Sequence, residues 1–233
     1  MSVRIINEGV AKPLLFMRRV LMTLGLVIGV SACSGRSDAP QFSASGYIAD
    51  SAVVRIWRHD DSQQHPQVIM TVYSPYRGDV TRVTFYEYQN GILRQIRQSD
   101  IGKEAQSLQL RFSEQGVVSF MQRQLASSRE LLTADEITFQ QFEAKRILEL
   151  STALRAGNVN LMQGRFQNGV LTGCNGVIQR PQFEDYAQTW LNQRAKNTKG
   201  PLGIAWLNAP EGQALLLVAN EDFCRWEPTA DSL

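Results

Sequence analysis

Asn90-Gly91 stands between two runs of largely alternating residues, Val80–Gln89 and Ile92–Arg97. Asn-Gly supplies the two positive φ angles of a type I′ turn, whose twist matches that of paired strands, so this stretch reads as an antiparallel hairpin. The flanking chain extends the pattern. Ala52–Trp57 places Ala52, Val54 and Ile56 on one face, and Val68–Tyr73 is apolar on both faces, as a central strand is. Leu108–Phe112 alternates, and Val117–Gln122 follows the turn-forming stretch Ser113–Gly116. Short connections between these strands, from Gly46 to about Ala126, predict a strongly twisted antiparallel meander.

A helix follows. Thr133-Ala134-Asp135-Glu136 is a capping box, in which the threonine hydroxyl and the Glu136 carboxylate each satisfy an orphan amide. Phe139, Phe142, Ile147, Leu150 and Leu154 approximate one stripe, and Gly157 supplies a stop. About 22 residues of helix, about 33 Å, are long enough to lie across a sheet. A second Asn-Gly turn, Asn168-Gly169, joins Asn160–Phe166 to Val170–Cys174. Gln182–Lys196 reads as a shorter helix with Phe183, Tyr186, Trp190 and Leu191 facing inward, broken by Gly200-Pro201. Leu202–Leu207 and Ala214–Ala219 then pair around Ala209–Gly212. The expected fold is α+β: an antiparallel meander sheet able to curl toward an open barrel, with one long helix and a shorter C-terminal helix packed on it.

The N-terminus has a different character. Arg18 and Arg19 precede the apolar run Val20–Val30, which rises only about 16 Å as a helix, half of a bilayer core. That is too short to span and suits the core of a secretion signal. The run ends in Val30-Ser31-Ala32-Cys33, which resembles the lipobox of bacterial lipoproteins, an aliphatic residue and two small ones before a cysteine. The small residues let a peptidase accept extended backbone there. The resemblance implies a diacylglycerol on the Cys33 thiol and cleavage just before it. Stable anchoring takes more than one acyl chain, which this modification provides on one residue. Met17 is a candidate start, since the signal is complete from there. Ser34, rather than Asp, follows the cysteine, which within that class implies delivery to the outer membrane, facing the periplasm.

The expected organisation is a signal over residues 1–32, a tether over 33–45, and one periplasmic domain over 46–233. The tether Ser34–Ser45 is small and polar and would reach roughly 20 Å. The whole chain carries a net charge of +2, but residues 1–32 hold Arg4, Lys12, Arg18 and Arg19 against Glu8, so a mature chain is near −1. No basic face argues for nucleic acid. Besides Cys33 the chain has Cys174 and Cys224, which in an oxidising compartment read as a disulfide closing a loop of about 50 residues, worth on the order of 4 kcal/mol. Two buried free thiols are the bland alternative. A catalytic Cys174 would need a basic partner, and both histidines lie more than a hundred residues upstream.

Few constellations could carry chemistry. His59, Asp61 and His65 offer imidazole and carboxylate ligands for a metal such as zinc, although their spacing matches no metal motif and the stretch also reads as a solvated turn. Tyr73, Tyr76, Phe85, Tyr86 and Tyr88 concentrate aromatics that could stack on sugars, hold a peptide strand or simply pack. GxSxG, GxxxxGK[ST], GxGxxG after a strand and Ser-x-x-Lys do not occur.

Ala44-Ser45-Gly46-Tyr47-Ile48-Ala49-Asp50 with Val54-Arg55-Ile56-Trp57-Arg58, together with the signal and the length, resembles the YjaH-like lipoproteins of gamma-proteobacteria, designated only as a domain of unknown function. The resemblance covers most of Gly46–Trp226. It implies an envelope lipoprotein and supplies no catalytic residues. The resulting expectation is a lipid-anchored, non-enzymatic envelope protein, held to the membrane by its lipid, without a cofactor, that binds a periplasmic protein or small ligand. An envelope hydrolase acting on cell-wall or glycan material and a periplasmic metal-binding protein are the alternatives.

Overall fold

The computed structural model describes residues 40–103 and 105–233. The signal, Cys33 and most of the expected tether lie outside them. Strand β1 (Phe42–Ile48) opens the fold, so residues 42–45, read as tether, belong to a sheet. It is followed by β2 (Ala52–Asp60), β3 (Pro66–Pro75), β4 (Thr81–Gln89), β5 (Ile92–Ile101), β6 (Gln106–Phe112), β7 (Val118–Gln124) and β8 (Arg129–Glu130). Each pairs antiparallel with its neighbour in sequence, which gives the meander. At the β4–β5 turn Asn90 and Gly91 take φ of 52° and 75°, the pair of positive angles that Asn-Gly supplies at low cost.

Helix α1 (Ala134–Ala156) starts in the expected capping box, with both reciprocal hydrogen bonds made. Its end differs in detail. Gly157 has φ of −78°, and the left-handed position falls one residue later, on Asn158 at 53°. Then come β9 (Asn160–Gln167), β10 (Val170–Gly173), β11 (Ile178–Gln179), α2 (Asp185–Lys196), β12 (Leu202–Ala209), β13 (Gly212–Ala219) and a 3-10 turn, Phe223–Trp226. These strands form a second antiparallel sheet in the order β11-β10-β9-β12-β13.

The α+β class holds, with two antiparallel sheets in place of one, and the meander is not closed as a barrel: among the described residues β1 and β8 lie at its edges and pair on one side only. Alternation explains why. On β2, Val54 and Ile56 face α1, whereas Val53 and Trp57 face the second sheet. On β12, Ala205 faces the meander, whereas Leu202, Ile204 and Trp206 face α2. Strands apolar on both faces need cover on both, and the chain meets this with four layers: α1, meander, C-terminal sheet, α2. The shorter helix consequently packs on the C-terminal sheet, with Leu191 against Trp206 and Leu202.

The helix stripes also differ from expectation. Ala144, Ile147 and Ser151 are the buried residues of α1, while Phe139 and Phe142 are exposed. On α2 only Leu191 is buried, and Tyr186 is 81% exposed. Their approximate helical spacing suggested a core role for these aromatics. Close approach of a helix to a sheet instead favours the small residues Ala144 and Ser151 at the contact.

One ionic group sits between the two sheets. The Arg55 side chain donates to Gln163 Oε1 at 2.7 Å and Ser74 Oγ at 3.1 Å, and its guanidinium lies 4.6 Å above the Phe223 ring. Its Nε has no partner. Burial pushes its pKa down to about 10, so it stays a cation at neutral pH. Gln163 in turn donates to Glu227 Oε2 at 3.0 Å, tying the C-terminal tail to both sheets. Cys174 and Cys224, expected to pair, stand at disulfide geometry with Cα atoms 5.3 Å apart.

Candidate functional site

Strand register builds the most developed polar site, on the meander face that turns toward α1. One transverse row reads Tyr47, Val54, Tyr73, Arg82, Asp100, Gln106 across β1 to β6. The next row includes Thr71, Thr84, Gln98 and Arg123, and the third is Ile69, Tyr86, Ile96, Leu110 and Met121 from β3 to β7. Polarity therefore changes along the strands. α1 covers the apolar end, and beneath its N-terminal half the polar rows are left as the floor of a cleft.

Two adjoining cavities fill that cleft, of about 270 and 340 Å³, sharing Arg82, Gln98, Phe139 and Gln140. Their charges are internally compensated. Arg82 donates to both Asp100 oxygens at 2.7 and 2.9 Å, and Gln106 adds a bond at 2.9 Å. Burial pushes the Asp100 carboxyl up, but these hydrogen bonds outweigh it and hold the group below the usual carboxylate range. On the helix side Arg146 donates to both Glu143 oxygens and to the Tyr47 hydroxyl at 3.0 Å. Arg123 reaches Glu136 at 2.5 Å. The Thr133 backbone amide, then Arg123, bring Glu136 down to about 2.

Three hydroxyls are different. Thr71, Thr84 and Tyr86 are 6%, 3% and 5% exposed, and all line the smaller cavity. Among the described residues none of their side chains makes a hydrogen bond. Buried polar groups of this kind are normally satisfied by water or by a ligand. The cleft therefore offers hydroxyl and amide groups and an exposed ring, Phe139, with no net charge.

The aromatic concentration seen in the sequence is divided by the fold. Tyr73 and Tyr86 line the cleft. Tyr88 lies under α1 and donates to the Ala144 carbonyl at 3.3 Å. Phe85 is on the opposite face beneath Arg97, and Tyr76 lies beyond the end of β3, 51% exposed. The metal set is not assembled. Among the described residues no group of three His, Cys, Asp or Glu is placed to hold a metal. His59 is fixed in β2, paired with Phe42 and Val68. Asp61 closes its own turn, accepting from the Gln63 and His65 amides at 2.8 and 2.9 Å, and its other oxygen lies 3.4 Å from His65 Nδ1, so two of the three expected residues meet.

The neighbouring Asp60, in sequence only one of the two carboxylates of that polar stretch, carries a structural role. It is 1% exposed, accepts from Arg58 Nε at 2.6 Å and also binds Arg155 of α1. Arg58 continues to Ser151 and Thr152 of the same helix at 3.1 and 2.8 Å. The alternating Arg58-His59-Asp60, placing a cation and an anion two residues apart on a strand, was the available signal.

Comparison with known proteins adds kinship without chemistry. The chain is 39% identical to the uncharacterized protein YjaH of Escherichia coli (strain K12) over 225 residues, 95% of this chain and 96% of that one. No solved structure matches it. Residues 44–229 match the family model described as Protein of unknown function (DUF1481), and the chain belongs to that family.

Proposed function

We propose that this chain is a lipid-anchored envelope protein that binds a small, neutral, hydroxyl-rich ligand of the saccharide class in the cleft beneath α1. One observation carries the reading of the ligand: the hydroxyls of three largely buried residues, without protein partners among the described residues, face a cavity whose arginines are already neutralised. A charged ligand would have to displace an existing ion pair, whereas a neutral polyol can pair with the hydroxyls as they stand. Phe139 supplies a ring for an apolar sugar face. The anchor rests on Val30-Ser31-Ala32-Cys33. Among the described residues no helix is long and apolar enough to cross a membrane, which is compatible with that anchor.

A hydrolytic role on glycans finds less support. Glycoside hydrolysis needs a carboxylic acid still protonated near neutral pH. Asp100 and Glu136 are both held low by their partners.

The test uses the full-length protein in detergent against a panel of neutral and anionic mono- and disaccharides, read by saturation-transfer NMR. A neutral member should bind, and Thr84→Val with Tyr86→Phe should weaken it at least tenfold without lowering Tm. Binding confined to anionic sugars, or unaffected by the pair of substitutions, sinks the ligand assignment. For the anchor, Cys33→Ser should move the protein from the membrane pellet to the soluble fraction.

A further inference from the structure

Of the four sheet edges, β8 and β11 are only two residues long. Short edges of this kind resist pairing with another chain. β13 is the longest at eight residues, and its sequence, Gly-Gln-Ala-Leu-Leu-Leu-Val-Ala, holds neither charge nor proline; its one interruption is a bulge at Leu216. Its outer side pairs with no strand among the described residues, and no turn or loop backbone bond reaches Leu215–Ala219. The five consecutive residues Leu215–Ala219 form the floor of a groove of about 640 Å³. They line one surface because this edge is open and because a bulge at Leu216, unpaired between the Ala205–Leu217 and Trp206–Leu215 pairs, breaks the alternation of side chains.

The groove has two walls. Pro75 and Tyr76 at the end of β3 form one, and Tyr186, Trp190 and Arg194 of α2 form the other. Tyr186, Trp190 and Arg194 follow the four-residue spacing that keeps side chains on one side of a helix. Arg194 is the charged member. It is half-buried, its guanidinium lies 5.9 Å from the Trp190 ring, and its Nε is buried with no partner. Among the described residues no carboxylate pairs with it. Every arginine of the cleft under α1 has such a partner, so this free cation is a second, separate pointer to an occupant.

We infer that the groove takes an extended peptide segment of a partner protein, added to β13 as a further strand, with an internal Asp or Glu side chain on Arg194. Main-chain hydrogen bonds to the open edge hold the segment, and its alternate side chains lie against Tyr76 on one side and Trp190 on the other. The carboxylate is internal because the groove continues beyond Arg194 into a second, polar hollow beside Asn197 and Asn220, where a chain can run on. A second copy of this chain would bring the same two walls to a groove already walled on both sides. This site is independent of the cleft under α1.

The test selects seven-residue peptides, from random libraries either blocked or free at the C-terminus, on the full-length protein and follows amide exchange at Leu215–Ala219. Enriched peptides should alternate apolar residues around one acidic position and should slow exchange at β13. Arg194→Glu should weaken a glutamate-bearing peptide at least tenfold and favour its lysine counterpart, a transfer that a purely structural role for Arg194 would not produce. Three results would overturn the inference: no enrichment, binding only by peptides with a free C-terminal carboxylate, or β13 protection that rises with protein concentration alone.

Discussion

Helices α1 and α2 each cover one sheet, and they are held by opposite means. α1 is clasped by ions: Asp60 joins Arg58 of β2 to Arg155 of the helix, Arg123 holds Glu136, and Arg146 reaches Tyr47. α2 rests on apolar contact through Leu191, and its layer is joined to the C-terminal tail by Cys174–Cys224. The contrast has a functional side. Where charges are mutually satisfied, the surface left over is neutral and hydroxyl-lined. Where the layer is apolar, the buried Nε of Arg194 and the outer edge of β13 are left without partners among the described residues. Saturated and unsaturated surfaces suit different ligands.

The sharpest way to break the ionic layer is Asp60→Ala. It leaves Arg58 buried without its anion, a change that costs about 3–5 kcal/mol in comparable sites. Equilibrium unfolding in urea should show this loss, and amide exchange should place the loosening in α1. A cost below about 1 kcal/mol would mean the clasp is ornamental.

The corresponding blow to the other layer is Cys174→Ser with Cys224→Ser. Opening a loop of about 50 residues should cost on the order of 4 kcal/mol or less. Its effect should fall on β10, β11 and the tail and leave α1 protected. Equal loosening of both helices would erase the distinction drawn between them.

Acid provides a milder test. The Asp100 pKa is depressed in the folded state, so its contribution is fully present above the ordinary carboxylate value near 3.9 and is lost as pH falls through the lower folded value. Asp100→Asn should therefore destabilise the protein at neutral pH and flatten that part of the stability–pH curve below about pH 4. An unchanged acid limb would remove Asp100 from the argument.

The smallest effect expected is that of Tyr186→Ser. A large aromatic that is 81% exposed should alter stability by no more than about 0.5 kcal/mol. A loss of 2 kcal/mol or more, the scale of a truncated core side chain, would return Tyr186 to the core.

Those aromatics mark where sequence reasoning stops. Strands β2 to β7, both Asn-Gly turns and the Thr133 capping box were legible because each is a local pattern of alternation, φ angle or cap. β1 was missed because Ser43, Ala44 and Ser45 are small and polar in the manner of a linker. They form a strand only because β2 lies alongside, and a side chain at position 46 would press on the Val54 carbonyl. Spacing reads Tyr186 and Trp190 as inward-facing, whereas burial depends on which face of α2 meets the sheet. The cleft was illegible for a related reason. Arg82, Asp100 and Gln106 become neighbours only through the registers of two hairpins, and Thr71 and Thr84 read as ordinary strand residues until α1 is in place over them.

The position of Arg55 has a consequence for assembly in time. Every meander strand pairs with its neighbour in the chain, so the meander can zip up from local contacts, which form early. β9 must wait for β12, and the Arg55 guanidinium finds Gln163 only across 108 residues. Until then Arg55 and Trp57 face water on an uncovered sheet. A half-made chain is thus a sticky intermediate carrying a positive charge at the centre of its apolar face. That charge keeps the face hydrated while it waits, and docking of the last sheet strips the water away.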